Sequence, residues 1–556
     1  MREYQKSVLL CLLSAILLIL SFPKPNLGFL AWFALVPWLF ALRGQRPLRA
    51  FFLSYLVGLV FFSGIVYWVN YVSSLGFTVL VLYLALYFAV FGLVFSTVNC
   101  QLSTVNCFLI PCIWVSLEYI RSHLFTGFSW ALLGYSQYRI LPVIQISDIT
   151  GAYGVSFLLV LVNVAIWRIL SPSLRAKRSN PFLRLLRRQK SNHRASRNDS
   201  ASPIYWALCP LLFVILVLTY GYFKLSQPAR GQSIKVAVVQ GNIPQRMKWD
   251  PDARDFILEK YSRLTETAAL NRPDIIIWPE TSVPGYLEDE PELLKEISSL
   301  SGRVSPAYLL VGTPQQGRNR TLYNSATLLF QGKSIKRYDK LHLVPFGEFI
   351  PWPVLFSRFS FAGLVGNFSR GEDYTVFSLS QTKPKIKFSA LICFEDVFGY
   401  LARRFVQKGA QILVNMTNDA WFEDSSEPEQ HLQASVLRAV ENRVNVVRSA
   451  NTGVSCFIDP QGKILSRVTD SAGRDVLVEG EKTQELKIVS APGFYTAFGD
   501  IFAWLCLILT GAFLVYGEGW LGCQLLERSS TKTHLEVSSA VIERAPKAHP
   551  RQDPEP

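Results

Sequence analysis

Apolar and polar positions divide this chain into two textures. Unbroken apolar runs occur near residues 7–22, 27–42, 50–70, 76–98, 104–120, 153–170 and 204–224, and once more near 498–517. Several reach the roughly 20 residues that a helix needs to cross a bilayer. The first two are short and meet at a Pro-Lys-Pro turn, Pro23–Pro25, which predicts a hairpin. No small-residue cleavage site follows the first run, so it reads as a span rather than a removed signal peptide. From Ile234 the pattern changes. Short β-rich runs ("IKVAVVQGNI", "DIIIWPE", "AYLLVGTP", "YNSATLLF", "KFSALICFED", "AQILVNMTND", "VNVVRSA", "TGVSCFID", "KILSRV") alternate with stretches of helical spacing. The helices fall at 252–271, 292–300, 397–408 and 430–443, with Phe256, Ile257, Tyr261 and Leu264 on one face of the first. Buried strands alternating with helices predict a layered α/β domain of about 260 residues.

Charge sets an orientation for these elements. The formal net charge is +15, but the basic residues form no aromatic-interleaved stripe, which argues against nucleic acid as a partner. They collect in loops between apolar runs. Arg43, Arg46 and Arg49 stand in one loop; nine Lys/Arg against the single acid Asp199 stand within 171–200. Both loops are cytoplasmic if the N-terminus is. The expected organisation is a transmembrane region at 1–227, with a basic cytoplasmic loop at 171–203. An α/β domain at 228–497 then lies outside the cytoplasm, followed by a last span at 498–520. The tail, 521–556, has the polar, Pro-containing composition of a disordered segment. The aromatic, weakly charged loop 121–152 is expected to lie in the membrane interface or line a lipid-facing wall. Glu118 and Arg121, near a span end, read as interfacial, and a transporter is poorly supported.

The candidate chemistry sits in the α/β part. Of nine cysteines only Cys393 and Cys456 fall there, and neither Cys-x-x-Cys nor Cys/His spacing suits zinc. A Cys393–Cys456 disulfide is disfavoured. Glu280 in "WPET", Lys340 in "YDKLHLVPFGE" and Cys393 in "CFED" each follow or border a β-like run. One acid, one amine and one thiol at strand ends are the parts of an activated-cysteine site. The plain alternative for Cys393 is a buried packing residue. A free thiol has a pKa near 8.5, so Glu280 is needed as a base, while Lys340 can steady a thiolate and then an oxyanion. At about 4 Å and an effective dielectric near 20, such a charge contributes at most ~4 kcal/mol.

These three motifs, in this order, resemble the nitrilase (carbon–nitrogen hydrolase) superfamily with its Glu–Lys–Cys triad. With the membrane runs, "SFPKPNLGFLAWFALVPWLFAL" and "FTGFSW…GYSQ" included, residues 1–520 resemble the apolipoprotein N-acyltransferase family. The resemblance implies a multi-pass α-helical membrane domain of about eight helices carrying a nitrilase-like αββα sandwich. It implies a monomer of the bacterial inner membrane, catalytic domain periplasmic, needing no cofactor or metal. The implied donor is a membrane phospholipid. The implied acceptor is the α-amino group of a diacylglyceryl-cysteine lipoprotein, freed by signal-peptide removal, and the route is a Cys393 thioester. Glu348 and Glu395 are implied supporting acids, and Trp249, Phe394 and Trp421 implied substrate-side residues. Phe394 replaces the family's usual tyrosine, so no hydroxyl is available there. Asn418 and Asp419 are expected at the pocket floor, and His342 beside Lys340 as packing rather than as a catalytic base. Two alternatives stay open: a membrane-anchored amidase, and a non-catalytic lipid or protein receptor.

Overall fold

The computed structural model describes residues 2–98, 106–171, 203–228, 231–317, 320–351, 367–489 and 492–515. The basic loop 172–202 and everything from 516 onward, including the expected tail, lie outside the described residues.

Among the described residues five helices are long and apolar enough to cross a membrane: Glu3–Leu20, Pro47–Ile65, Ser74–Thr97, Ala152–Leu170 and Leu208–Leu225. The expected eight are not all of that kind. The second apolar run divides into the turn Gly28–Trp32 and the short helix Val36–Leu42. Buried Asn163 explains how this break is tolerated: its Oδ1 accepts from Leu35 N at 2.8 Å and its Nδ2 donates to Ala31 O at 2.9 Å. Helix Asn106–His123 carries Pro111 inside it and two charged residues near its end. The last helix is described only over Ile501–Val515. Leu208, Leu211, Leu212, Ile215 and Leu216 are exposed on one helix, as residues facing lipid tails would be.

Glu118 and Arg121 correct the interfacial reading. They are only 6% and 4% exposed, facing an apolar cavity lined by Phe61, Phe62, Phe88 and Trp114. Glu118 accepts from Leu133 N at 2.8 Å, and the Arg121 guanidinium lies over the Phe62 ring.

Two six-stranded sheets form the α/β domain. The strands are β1 (Ser233–Gln240), β2 (Ile275–Ile277), β3 (Tyr308–Gln316), β4 (Leu322–Phe330), β5 (Lys333–Asp339), β6 (Phe377–Leu379), β7 (Ile386–Ile392), β8 (Ile412–Thr417), β9 (Asn445–Ala450), β10 (Cys456–Ile458), β11 (Ile464–Arg467) and β12 (Gly480–Lys487). Their orders are β12-β1-β2-β3-β4-β5 and β11-β10-β9-β8-β7-β6. The sheets face each other: the Ser449 hydroxyl on β9 donates to Val239 O and Ile277 O of the opposite sheet. Helices Arg254–Ala269 and Pro291–Arg303 cover one outer face, and Gly399–Gln407 and Glu427–Asn442 the other. This is an αββα sandwich. Phe256 is a correction: it is 47% exposed, and Leu258 takes a buried place beside Ile257, Tyr261 and Leu264.

The loop after helix Asn106–His123 also differs from expectation. Trp130, Leu133, Tyr135 and Tyr138 are buried, because the sandwich sits directly on them. Gln430 of helix Glu427–Asn442 accepts from the indoles of Trp68 and Trp130 at 3.1 and 2.8 Å, and Gln433 donates to Tyr135 O at 3.1 Å. Arg443 reaches Asp148 at 2.7 Å and Gln145 Oε1 at 2.6 Å. Most of the aromatic loop is thus the seat of the α/β domain, with Leu124 and Phe125 left exposed at its start.

Candidate active site

Three strand ends deliver the three predicted side chains. Glu280 follows β2, Lys340 follows β5 directly, and Cys393 follows β7 directly. Each loop contains a non-glycine residue with positive φ: Thr281 at 44°, Phe346 at 60° and Cys393 itself at 51°. Such conformations cost on the order of 1–3 kcal/mol and persist where surrounding contacts fix them. At Cys393 those contacts are visible. Its carbonyl oxygen accepts from Asn415 Nδ2 at 2.9 Å and lies 3.2 Å from His431 Nε2. Gly312 on β3 lets the Glu280 loop pass, since a Cβ there would stand 2.2 Å from Pro279 O.

Glu280, Lys340 and Glu348 form one hydrogen-bonded group. Lys340 Nζ lies 2.9 Å from Glu348 Oε1 and 3.6 Å from Glu280 Oε1. Asn324 Nδ2 donates to both acids, at 2.7 and 2.8 Å, and Val344 N donates to Glu348 Oε2. All of this is shielded from water: Lys340 is 1% and Glu280 7% exposed. Burial works against the Lys340 charge, but the carboxylates of Glu348 and Glu280 outweigh it and hold the ammonium protonated. Burial lifts the Glu280 carboxyl above its ordinary range, with Lys340 pulling the other way. Burial, followed by the charge of Glu280, pushes the Cys393 thiol well above its usual value, and Lys340 opposes this. A protonated thiol beside a carboxyl of raised pKa is suited to proton transfer at the moment of attack. A standing thiolate would suit it less.

The other expected residues fall into place unevenly. Glu395 is fully buried and does not join the acid–lysine group. Its carboxylate accepts from Tyr338 OH, Leu341 N, His342 N and Ile392 N at 2.7–2.9 Å, tying the loop after Lys340 to the strand before Cys393. Burial raises its pKa to about 7. Phe394 turns into an aromatic cluster, 6.2 Å from Trp130 and 5.1 Å from Phe398, and so joins the nucleophile loop to the membrane domain. Trp249 and Trp421 are 53% and 50% exposed. His342 stacks on Phe398 at 3.8 Å and bonds Tyr400 OH. Burial lowers its pKa to about 4, leaving it neutral. Asn418 donates to Gln245 Oε1 at 2.7 Å. Cys393 and Cys456 are both free.

Sequence reasoning missed Asn324, Lys248 and His431. Asn324 stands inside "YNSATLLF", a polar side chain in an apolar strand, and that was a usable signal. His431 gave none. Its Nε2 lies 2.8 Å from Asp396 Oδ1, while Nδ1 lies 3.5 Å from Asp419 Oδ1 and 3.4 Å from Glu427 Oε1. Asp419, Glu427 and His431 are grouped closely enough to hold a cation, yet the charges already balance. Burial opposes the charge on His431, but Asp396 raises its pKa to about 10, and Arg448 supplies a second cation 3.1 Å from Asp396. Two cations then face Asp396 and Asp419, with Glu427 pushed far up by burial and held neutral.

Two family models match this chain. The apolipoprotein N-acyltransferase N-terminal domain covers residues 14–165, and carbon-nitrogen hydrolase covers 235–479. An apolipoprotein N-acyltransferase of Geobacter metallireducens is 39% identical over 522 residues, spanning 90% of this chain and 94% of its own. The protein of that name from Allorhizobium ampelinum is 34% identical over 67% of this chain and 66% of its own. Apolipoprotein N-acyltransferase 1 of Treponema denticola is 28% identical over 92% and 97%. The αββα sandwich is therefore nitrilase-like, and the five long apolar helices belong to a membrane protein.

Proposed function

The chain belongs to the apolipoprotein N-acyltransferase family, and we propose that it carries an acyl chain from a membrane phospholipid, through a Cys393 thioester, to the α-amino group of an S-diacylglyceryl-cysteine lipoprotein. The observation that carries this reading is the buried Glu280–Lys340–Glu348 group beside a nucleophile loop that stacks on the membrane domain through Phe394 and Trp130.

Glu280 takes the thiol proton as the sulfur attacks the ester carbonyl. Lys340 balances the oxyanion, and the lysophospholipid alkoxide leaves with the proton that Glu280 returns. In the second half the α-amine attacks the thioester carbonyl. Glu280 accepts its proton, and the sulfur departs to regain one. Glu348 holds Lys340 in place, and Glu395 fixes the backbone on both sides. Trp249 and Trp421, exposed aromatics, are assigned to the substrate side, with Phe394 as aromatic lining. The amine must outcompete water at the thioester, which favours a shielded site. Both substrates carry two acyl chains, and moving such a chain into water costs about 0.8 kcal/mol per CH₂. A site resting on the membrane domain avoids that cost. We assign residues 228–497 to the periplasmic side of the inner membrane and the domain boundaries as read from the sequence.

The test is intact mass after incubation with a phospholipid carrying a labelled acyl chain. Wild type gains one acyl group, released by hydroxylamine as a thioester. Cys393→Ala, Glu280→Gln and Lys340→Ala gain none. A wild-type protein that releases free fatty acid and never acylates a lipoprotein amine would move the reading to a hydrolase.

A further inference from the structure

We infer that Lys248 is a positioning residue of this reaction: its side chain pins the backbone corner that carries Glu280 and adds a second positive charge to the buried group around that acid. The inference rests on the reading of Cys393 as the acyl carrier. Lys248 is 4% exposed, which is rare for a lysine without a carboxylate partner. No carboxylate lies within ion-pair distance of it among the described residues; instead Nζ donates to the backbone oxygen of Glu280 at 3.0 Å and to Thr281 Oγ1 at 3.2 Å. These are the two residues of the corner whose Thr281 has φ 44°. An ammonium therefore clamps a strained turn at the base itself.

Charge balance gives the clamp a second consequence. At rest Glu280 and Glu348 carry two negative charges, and Lys340 and Lys248 two positive. Moving the thiol proton from Sγ to Glu280 leaves that sum at zero, because the sulfur takes the charge that Glu280 gives up. Without Lys248 the same transfer occurs in a buried site one charge negative and from a corner that has lost its clamp. Lys340 cannot make up the difference alone, since Glu348 already holds it at 2.9 Å. The titratable groups facing Lys248 are Glu280, Cys393 and Asp419, one from each of three loops. Burial lowers its pKa to about 7, against the pull of Glu280, so the charge is present below that pH and fades above it. Its chain neighbour Trp249 stands exposed, so this one loop carries a buried clamp and an outward aromatic side by side.

The test uses the full-length protein in detergent micelles with iodoacetamide as the probe, read at Cys393 by peptide mass from about pH 5.5 to 9. Alkylation forms the S–C bond, expels iodide and passes the thiol proton to Glu280. Lys248→Met is expected to slow this at least tenfold near pH 6, with the deficit shrinking as pH rises through about 7 and wild type loses the charge. Lys248→Arg keeps the charge and is expected to recover to within about threefold of wild type. A Lys248→Met protein alkylated at the wild-type rate across the range overturns the inference. So does a deficit that is constant with pH and that Lys248→Arg shares, because that is lost packing. Acyl-thioester formation by the same wild-type sample reports separately on the acyl-carrier reading.

Discussion

Helices Arg254–Ala269 and Glu427–Asn442 are both 16 residues long and cover opposite faces of one sandwich. The first buries Ile257, Leu258, Tyr261, Leu264, Thr265 and Ala268 and leaves the rest to water. The second is buried from Glu427 to Asn442 except at Glu429, although it contains Gln430, His431, Gln433, Arg438 and Glu441. What differs is the far side. Water covers the first helix, and the membrane domain and the nucleophile loop cover the second. Each buried polar group therefore needs a partner within the protein. Gln430 finds Trp68 and Trp130, Arg438 finds Glu441 and Tyr135, and His431 finds Asp396 and the Cys393 carbonyl. One helix contributes stability through its apolar stripe; the other joins the Cys393 loop to the membrane domain through hydrogen bonds.

Substitutions can break this contrast. The largest expected effect is Arg438→Ala. Arg438 and Glu441, 3% and 1% exposed, lie 2.8 Å apart, and removing one partner leaves a buried charge alone, at a cost of about 3–5 kcal/mol. Thermal unfolding in detergent reads it. His431→Gln comes next, at about 1.5–3 kcal/mol for charge-assisted hydrogen bonds. Its sign with pH is fixed by the raised pKa. Folded His431 holds its proton to about 10, against about 6.5 unfolded. The stabilisation is therefore complete below about 6.5 and lost as pH rises through about 10. Melting curves of wild type and His431→Gln should lie far apart at pH 6 and converge toward pH 10; parallel curves would remove the imidazolium from the account. Gln430→Ala strips the acceptor from two buried indoles, at about 1–3 kcal/mol, and should slow thioester formation because Trp130 then loosens against Phe394. The smallest effect belongs to the outer helix. Lys260 meets Glu479 at 2.9 Å near the surface, and Lys260→Ala should cost less than about 1 kcal/mol with unchanged acylation. An equal loss at Lys260 and Arg438 would erase the distinction between the two faces.

Local pattern was enough for much of this protein. Continuous apolar runs separate a membrane part from a soluble part, and β-rich runs mark β1–β4 and β7–β11. Two runs that lead to Glu280 and Cys393, with Lys340 in a motif between them, point to one chemistry, because side-chain type and strand end are properties of neighbouring residues. Strands β5, β6 and β12 were missed, since "KSIKRYD", "FSL" and "GEKTQELK" are edge strands with no apolar run long enough to betray them. Tertiary structure alone decided that most of loop 121–152 is a buried seat, that Glu118 and Arg121 lie inside the bundle, and that Lys248 reaches the Glu280 corner. The reason is common to all three. Whether a polar side chain is solvated or buried depends on what stands opposite it, and here the opposite group lies tens to hundreds of residues away in the chain.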